Sequence, residues 1–147
     1  MSNPRVSVIA LTRDRPKEFL SLLQALQQQR MRDFEVIIVG AEPDIRDHGA
    51  TDEFIDRLTY LQCIEQNISK SRNIGISQAR GEILVFIDDD AAPEPDWLTE
   101  LIKPFDNSNV GAVGGFVRGR NGVDFQWRGA LIDRYGDHAS LTLNDMK

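Results

Sequence analysis

Asp88, Asp89 and Asp90 stand side by side directly behind the apolar run Ile83–Ile87. Adjacent carboxylates repel one another, by about 4 kcal/mol per pair at an effective dielectric near 20 and before solvent screening. A divalent cation reverses that term. In an extended chain alternate residues share a face, so Asp88 and Asp90 can point to one side and Asp89 to the other. Ligands that are all oxygen suit Mg²⁺ or Mn²⁺, which keep several waters and bind the phosphates of a substrate as well. The competing reading is a solvated acidic turn that caps the following helix, a job Asp96 beside Pro95 can do alone. The place of the triplet, at the end of an uninterrupted apolar run, favours the cation.

Three other groups of residues could take part in chemistry with an anion. Arg72 and Lys70 lie in the first turns of a helical segment. Helix N-termini attract anions and an arginine can fork onto a phosphate, although on residue type alone both read as solvated charges. Thr12, Arg13, Asp14 and Arg15 follow the first apolar run, and Asp14 is also placed to cap the helix that begins at Pro16. Gly114-Gly115 interrupts a late apolar run, where glycines either admit a ligand close to the backbone or mark a β-bulge. Trp97 and Phe105 read as core, Cys63 as a buried thiol in an apolar run, and His48 and His138 have no partner at metal-ligand spacing.

The elements that must position these residues alternate in type. Val6–Leu11 reads as a buried strand. Pro16 then opens an amphipathic helix that ends near Gln29, with Phe19, Leu20, Leu22, Leu23 and Leu26 recurring at spacings of three and four. Phe34–Val39 is a second buried strand, and residues 40–50 read as a loop. Thr51 caps a short helix to about Leu58, and Thr59–Ile64 is a third strand. Ser69–Ala79 is a helix with Gly81 as its C-cap. Ile83–Ile87 is a fourth strand, Pro95 starts another helix, and Val110–Val117 is a fifth strand. Apolar strands joined by helices imply an α/β fold, a three-layer sandwich whose central sheet is mainly parallel and covered on both faces. Ligands of such sheets bind at the carboxyl ends of the strands. That rule selects Thr12–Arg15, Gly40–Glu42, Gln66–Asn73 and Asp88–Asp90.

Three segments carry a resemblance to a known family. The string from Gly81 through Asp88-Asp89-Asp90 to Leu98 resembles the DXD region of family 2 glycosyltransferases. Val6 to Pro16 resembles that family's first strand and nucleotide loop, and Ser69-Lys70-Ser71-Arg72-Asn73-Ile74-Gly75 resembles its "ARNxG" helix. Their order and spacing make the match more specific than any one motif, over roughly residues 5–118. The resemblance implies a GT-A fold, a nucleoside-diphosphate-sugar transferase-like domain that holds a nucleotide sugar and Mn²⁺ or Mg²⁺. It implies an inverting, hexosyltransferase-like enzyme that moves a sugar from a nucleoside-diphosphate donor to the hydroxyl of a saccharide or other acceptor.

Residue by residue, the resemblance assigns Asp88 to the ribose side, Asp90 with Asp88 to the metal, and Asp89 to sugar or metal. It assigns Thr12, Arg13, Asp14 and Arg15 to base and ribose, Arg72 to the diphosphate, and Gly114 and Gly115 to the acceptor side. Lys70 stays on the surface, Asn73 orders local loops, and Gly75 lets its helix pack close to the sheet. Two departures stand out. Gly40 occupies the place of the family's base-binding aspartate, with Glu42 or Asp44 as substitutes. No acidic motif matching the family's catalytic carboxylate precedes Lys147. Asp124, Asp133 and Asp137 are acidic and nothing more, so the general base is expected beyond Lys147 and the chain reads as truncated or as a short relative. On this reading residues 1–118 bind the nucleotide sugar and residues 119–147 begin an incomplete acceptor-side region.

The totals agree with one globular domain: 147 residues, 41% hydrophobic and 27% charged. A formal net charge of −6 disfavours nonspecific nucleic-acid binding. One cysteine argues against a disulfide scaffold and for a reducing compartment. There is no apolar run of about 20 residues and no signal-peptide core. The expected location is cytoplasmic, at the inner membrane face. The family analogy admits peripheral membrane association and a homo-oligomer. The alternative function is a non-catalytic, degenerate module that binds a nucleotide or a partner. A nucleotidyltransferase ranks last, because Thr12–Pro16 lacks the glycines of a phosphate loop.

Overall fold

The computed structural model of the chain describes residues 3–41, 52–119, 124–127, 130–132 and 138–140. The expected roles of Glu42, Asp44, Thr51, Asp133 and Asp137 fall outside these residues. The chain divides into two compact units, Met1–Glu100 and Leu101–Lys147.

The first unit runs β1 (Val6–Thr12), α1 (Pro16–Gln27), β2 (Phe34–Gly40), α2 (Asp52–Ile55), β3 (Leu58–Gln62), α3 (Ile68–Gln78), β4 (Ile83–Asp88), and then α4 (Trp97–Ile102), which continues into the second unit. Its four strands form one sheet in the order β3-β2-β1-β4, and every pairing is parallel. The mainly parallel α/β architecture expected from the apolar runs is therefore present. The order also locates the switch point. Strands β1, β2 and β3 are laid down in one direction, and β4 then returns to the far side of β1, with Leu11 paired to Asp88. The crevice of such a sheet opens where the order reverses, outside the carboxyl ends of the two strands concerned.

Burial explains why these runs are strands. Every residue of β2 is buried, and β1 is buried except for Leu11, which is half-buried. Ile9, Ile37, Val39 and Cys63 form a core cluster with Leu11, Leu61, Ile74 and Ala79 packed against it, so α3 covers that face over β1 and β2. Gly75 is the point of closest approach, because a Cβ there would lie 2.7 Å from Ile9 Cγ2. On the other face Val6, Val8, Ala10, Val36 and Ile38 are fully buried. The stripe Phe19, Leu22, Leu23 and Leu26 of α1 is buried too, as its spacing requires. A buried amide, Gln29, joins the end of α1 to the start of α4. It donates to Glu94 O at 2.7 Å and accepts from Leu98 N at 3.0 Å.

The amino end of the sheet is closed by a hydrogen-bonded cluster. Glu35 is 4% exposed. Its Oε1 accepts from Ser7 Oγ and from Arg80 N, both at 2.7 Å, and its Oε2 accepts from Arg80 Nε at 2.8 Å and Nη2 at 2.6 Å. Ser7 Oγ accepts in turn from Gly81 N at 2.8 Å. Burial pushes the Glu35 carboxyl up, but the bonds from Ser7 and from the Arg80 backbone and guanidinium outweigh it and hold it below the usual carboxylate range.

Several sequence expectations need correction. Gly81 is not a helix C-cap. Helix α3 ends on Ala79 in an extended conformation. A Cβ on Gly81 would lie 2.5 Å from Ser7 N and 2.6 Å from Val6 C, so glycine is there for close backbone approach. Helix α2 stops at Ile55, short of Leu58, because Leu58 is buried and pairs with Val36 in β3. Helix α4 begins at Trp97 and not at Pro95, and Trp97 is only half-buried. Strand β4, although apolar, is not covered on both faces. It is an edge of the sheet, and Leu84 and Phe86 are 38% and 46% exposed.

In the second unit α4 runs into a 3-10 turn, Lys103–Asp106, which leaves Phe105 half-buried. Val110–Val117 is not a strand. Only β5 (Val117–Arg118) pairs, antiparallel to β6 (Phe125–Trp127). Gly111, Gly114 and Gly115 leave the run little side chain to bury and much backbone entropy to lose, so residues 111–116 stay outside any ladder. A second antiparallel pair joins β7 (Ala130–Ile132) to β8 (His138–Ser140).

Candidate functional site

The carboxyl ends of β1 and β4 lie side by side at the switch point, and the charged residues behind them meet. Thr12 ends β1 and is buried. Asp14 follows with φ 55°, left-handed backbone that a non-glycine residue seldom adopts and that aspartate tolerates better than most. The reversal at Asp14 brings Arg15 to the N-cap position of α1, where its side chain makes no cap bond and Pro16 starts the helix. The N-cap position that Asp14 was expected to fill is thus Arg15's. The Arg15 guanidinium reaches instead across the switch point. Its Nη1 lies 3.3 Å from Asp89 Oδ1, a hydrogen bond, and 3.6 Å from Asp90 Oδ2.

The three aspartates differ in environment. Asp88 closes β4 and is exposed, and its carbonyl accepts from Ala91 N at 3.1 Å to form the turn. Asp89 is 7% exposed and held by Arg15. The Asp90 side chain is 46% exposed. Among the described residues no three His, Cys, Asp or Glu side chains converge as a preformed metal cage. Mg²⁺ and Mn²⁺ do not ask for one. They are held by one or two carboxylates, with waters and substrate phosphates completing the shell. An exposed carboxylate at a strand's carboxyl end fits that mode, and Asp90 is such a group.

The other arginines fall into two roles. Arg13 Nη2 donates to three carbonyls behind β3, those of Cys63 at 3.2 Å, Ile64 at 3.3 Å and Glu65 at 2.9 Å. Strand β2 lies between β1 and β3, so this side chain straps the crevice across the end of β2. Arg72 is exposed, and among the described residues it makes no hydrogen bond or ion pair. It lies in the second turn of α3, which leaves the carboxyl end of β3 and is capped by Asn67 accepting from Lys70 N at 2.9 Å. Lys70 stays on the surface as expected. Its ammonium pairs with Glu65, and that hydrogen bond raises its pKa. Asn73 is exposed, and Cys63 is buried. Gly114 and Gly115 lie in the second unit. A Cβ on Gly114 would meet nothing within 4 Å, and one on Gly115 would meet only Leu101 Cδ1 at 3.9 Å, so neither glycine is required by close packing. Asp124 is exposed.

The sequence reading overlooked Tyr60. A Cβ on Gly40 would overlap the Tyr60 hydroxyl and would lie 3.3 Å from Thr12 Cγ2. The space above the last residue of β2 is thus filled from β3. A glycine in a strand is itself the signal of such an approach.

The glycosyl transferase family 2 profile matches residues 7–145. Among characterised proteins, the chain is 32% identical over 124 residues to a glucosyl-dolichyl phosphate glucuronosyltransferase of Haloferax volcanii, covering 77% of this chain and 38% of that protein. It is 31% identical over 121 residues to the succinoglycan biosynthesis protein ExoM of Rhizobium meliloti, covering 80% and 39%. The chain thus spans well under half the length of these relatives. Among solved structures, TarS of S. aureus in complex with UDP superposes with a TM-score of 0.55 at 26% identity, over 69% of this chain and 32% of that one. The mannosyltransferase PcManGT of Pyrobaculum calidifontis, in complex with GDP-Man and Mn²⁺, gives a TM-score of 0.63 at 24% identity, over 76% and 35%. At that identity the likeness is one of fold.

Proposed function

We propose that this chain, which belongs to glycosyl transferase family 2, supplies the donor site of a metal-dependent inverting glycosyltransferase that moves a sugar from a nucleoside diphosphate to an acceptor hydroxyl. The observation that supports this reading most directly is the meeting of Arg15 with Asp89 and Asp90 at the switch point between β1 and β4. Asp90, with Asp88, would hold Mn²⁺ or Mg²⁺. A bound ion there offsets the charge that develops on a departing diphosphate. Arg72 has no partner among the described residues and is read as the diphosphate's cation, forked onto its oxygens. Asp89 is held by Arg15 and keeps the turn in place. Thr12 and the Arg13 strap shape the wall of the base and ribose site. The UDP held by TarS, at 26% identity, supports the substrate class. The same reading puts the acceptor hydroxyl, a saccharide's or another's, and its general base outside this donor site.

Calorimetry with UDP, GDP, TDP and CDP tests the proposal, each with and without Mn²⁺. At least one diphosphate should bind, Mn²⁺ should tighten it, and Asp90→Ala should remove the Mn²⁺ effect. If none binds, and Asp90→Ala changes nothing, the donor-site reading fails. A second reading, a module that binds a nucleotide or partner without transfer, is favoured by one observation. Gly40 under Tyr60 leaves the last position of β2 without a carboxylate for a base. Binding of a diphosphate without sugar transfer by the full-length protein would select it.

A further inference from the structure

We propose that Arg15 is the resident counter-cation of the Asp88–Asp90 turn, a positioning residue that competes with a divalent ion for Asp90 until a diphosphate arrives. The inference rests on the donor-site reading and adds to it the behaviour of one residue. A single nitrogen, Nη1, serves both contacts, at 3.3 Å to Asp89 and 3.6 Å to Asp90. Only the first is short enough for a hydrogen bond. The two carboxylates are also unequal. The Asp89 side chain is 9% exposed and depends on its partner, while that of Asp90 is 46% exposed and is drawn to the guanidinium only by charge. Arg15 therefore holds Asp89 and only leans toward Asp90.

Charge sets the consequence. Three carboxylates and one guanidinium leave two negative charges on the turn, the charge of one divalent ion. An ion on Asp90 without a nucleotide comes close to the Arg15 cation and is opposed by it. An ion that carries a free nucleoside diphosphate brings more negative than positive charge, and the same guanidinium then favours it; with a nucleotide sugar, whose diphosphate bears two negative charges, the complex is neutral and the opposition is lifted. Arg15 thus acts with opposite signs on the bare ion and on the ion–nucleotide complex. It keeps the turn folded without metal and biases the site against metal that arrives without donor. The short tether, left-handed Asp14 on one side and Pro16 at the start of α1 on the other, holds the guanidinium near the turn in both states.

The test is Mn²⁺ binding by this chain, read from the loss of the free-Mn²⁺ paramagnetic resonance signal, alone and with UDP, GDP, TDP or CDP. Arg15→Gln should bind Mn²⁺ alone roughly fivefold tighter than the wild type, and Mn²⁺ with its preferred diphosphate roughly fivefold weaker. Arg15→Lys keeps the charge and should stay within about twofold of the wild type in both titrations. The double variant Arg15→Gln/Asp89→Asn keeps the shape of the pair and the net charge of the turn, which guards against misfolding. It should bind Mn²⁺ alone about twofold tighter than the wild type, because the contact with Asp90 is gone. Unchanged or weaker binding of Mn²⁺ alone in both neutral variants overturns the inference, as does Arg15→Lys behaving like Arg15→Gln. If no protein takes up Mn²⁺ with any diphosphate, the donor-site reading itself falls, and the inference with it.

Discussion

The two ends of the parallel sheet carry charge in opposite ways. At the amino end, Glu35 accepts four hydrogen bonds from Ser7 and Arg80 and is buried. At the carboxyl end, two of three adjacent aspartates, Asp89 and Asp90, share Arg15, and Asp88 and Asp90 face water. The first cluster is complete. No further donor could reach the Glu35 carboxylate without displacing one of the four, so its role is to fix β1, β2 and the entry to β4. The second is incomplete by charge, and its exposed carboxylates keep lone pairs open to water or a ligand. Saturation, more than the presence of charge, separates a clasp from a site.

That contrast can be broken at either end. The largest effect is expected from Glu35→Ala, which removes the acceptor of the Ser7 hydroxyl, the Arg80 backbone N–H and the Arg80 guanidinium. Chemical denaturation should show a loss of about 3 kcal/mol, with nucleotide binding by the folded fraction unchanged. A loss no greater than that of Asp90→Ala would remove the distinction. Gly81→Ala should cost about 2 kcal/mol in the same assay, because the new methyl meets the backbone of Val6 and Ser7, which cannot rotate away. At the other end, Arg72→Ala should weaken diphosphate binding about tenfold, or about 1.4 kcal/mol, while leaving the denaturation midpoint in place. The smallest effect is a pH dependence. The folded Glu35 carboxyl is held below its ordinary value of 4.5. Its contribution is therefore intact above that value, declines as pH falls below it, and is lost once pH has fallen through the lower folded pKa. Glu35→Gln should flatten the acid limb of a stability profile, and an unchanged limb would argue against the clasp.

Much of this was legible in the sequence where the signal was local. The apolar runs Val6–Leu11 and Phe34–Val39 and the stripe from Phe19 to Leu26 announce themselves, because one element's own residues decide its burial. The aspartate triplet was visible for the same reason. What escaped depends on contacts between distant residues. Gly81 is glycine because of Val6 and Ser7, and Gly40 because of Tyr60. Arg13, expected at the nucleotide, also donates through Nη2 to carbonyls some fifty residues on, which no local pattern shows. Strand β4 reads as buried by composition, but an edge position is a property of the sheet and not of the strand. The run Val110–Val117 looks strand-like by its valines, but the backbone entropy of Gly111, Gly114 and Gly115 works against a ladder over residues 111–116.

The Tyr60 hydroxyl above Gly40 has a consequence for how this protein can change. The two positions are epistatic. A Cβ at 40 would overlap the Tyr60 hydroxyl, so an acidic residue there, the type the family resemblance implies, requires the half-buried Tyr60 side chain to swing aside. A path of single substitutions that restores that acidic residue runs more easily with residue 60 shortened first. The same constraint holds in recombination, because a crossover between β2 and β3 would join partners that were never fitted to each other.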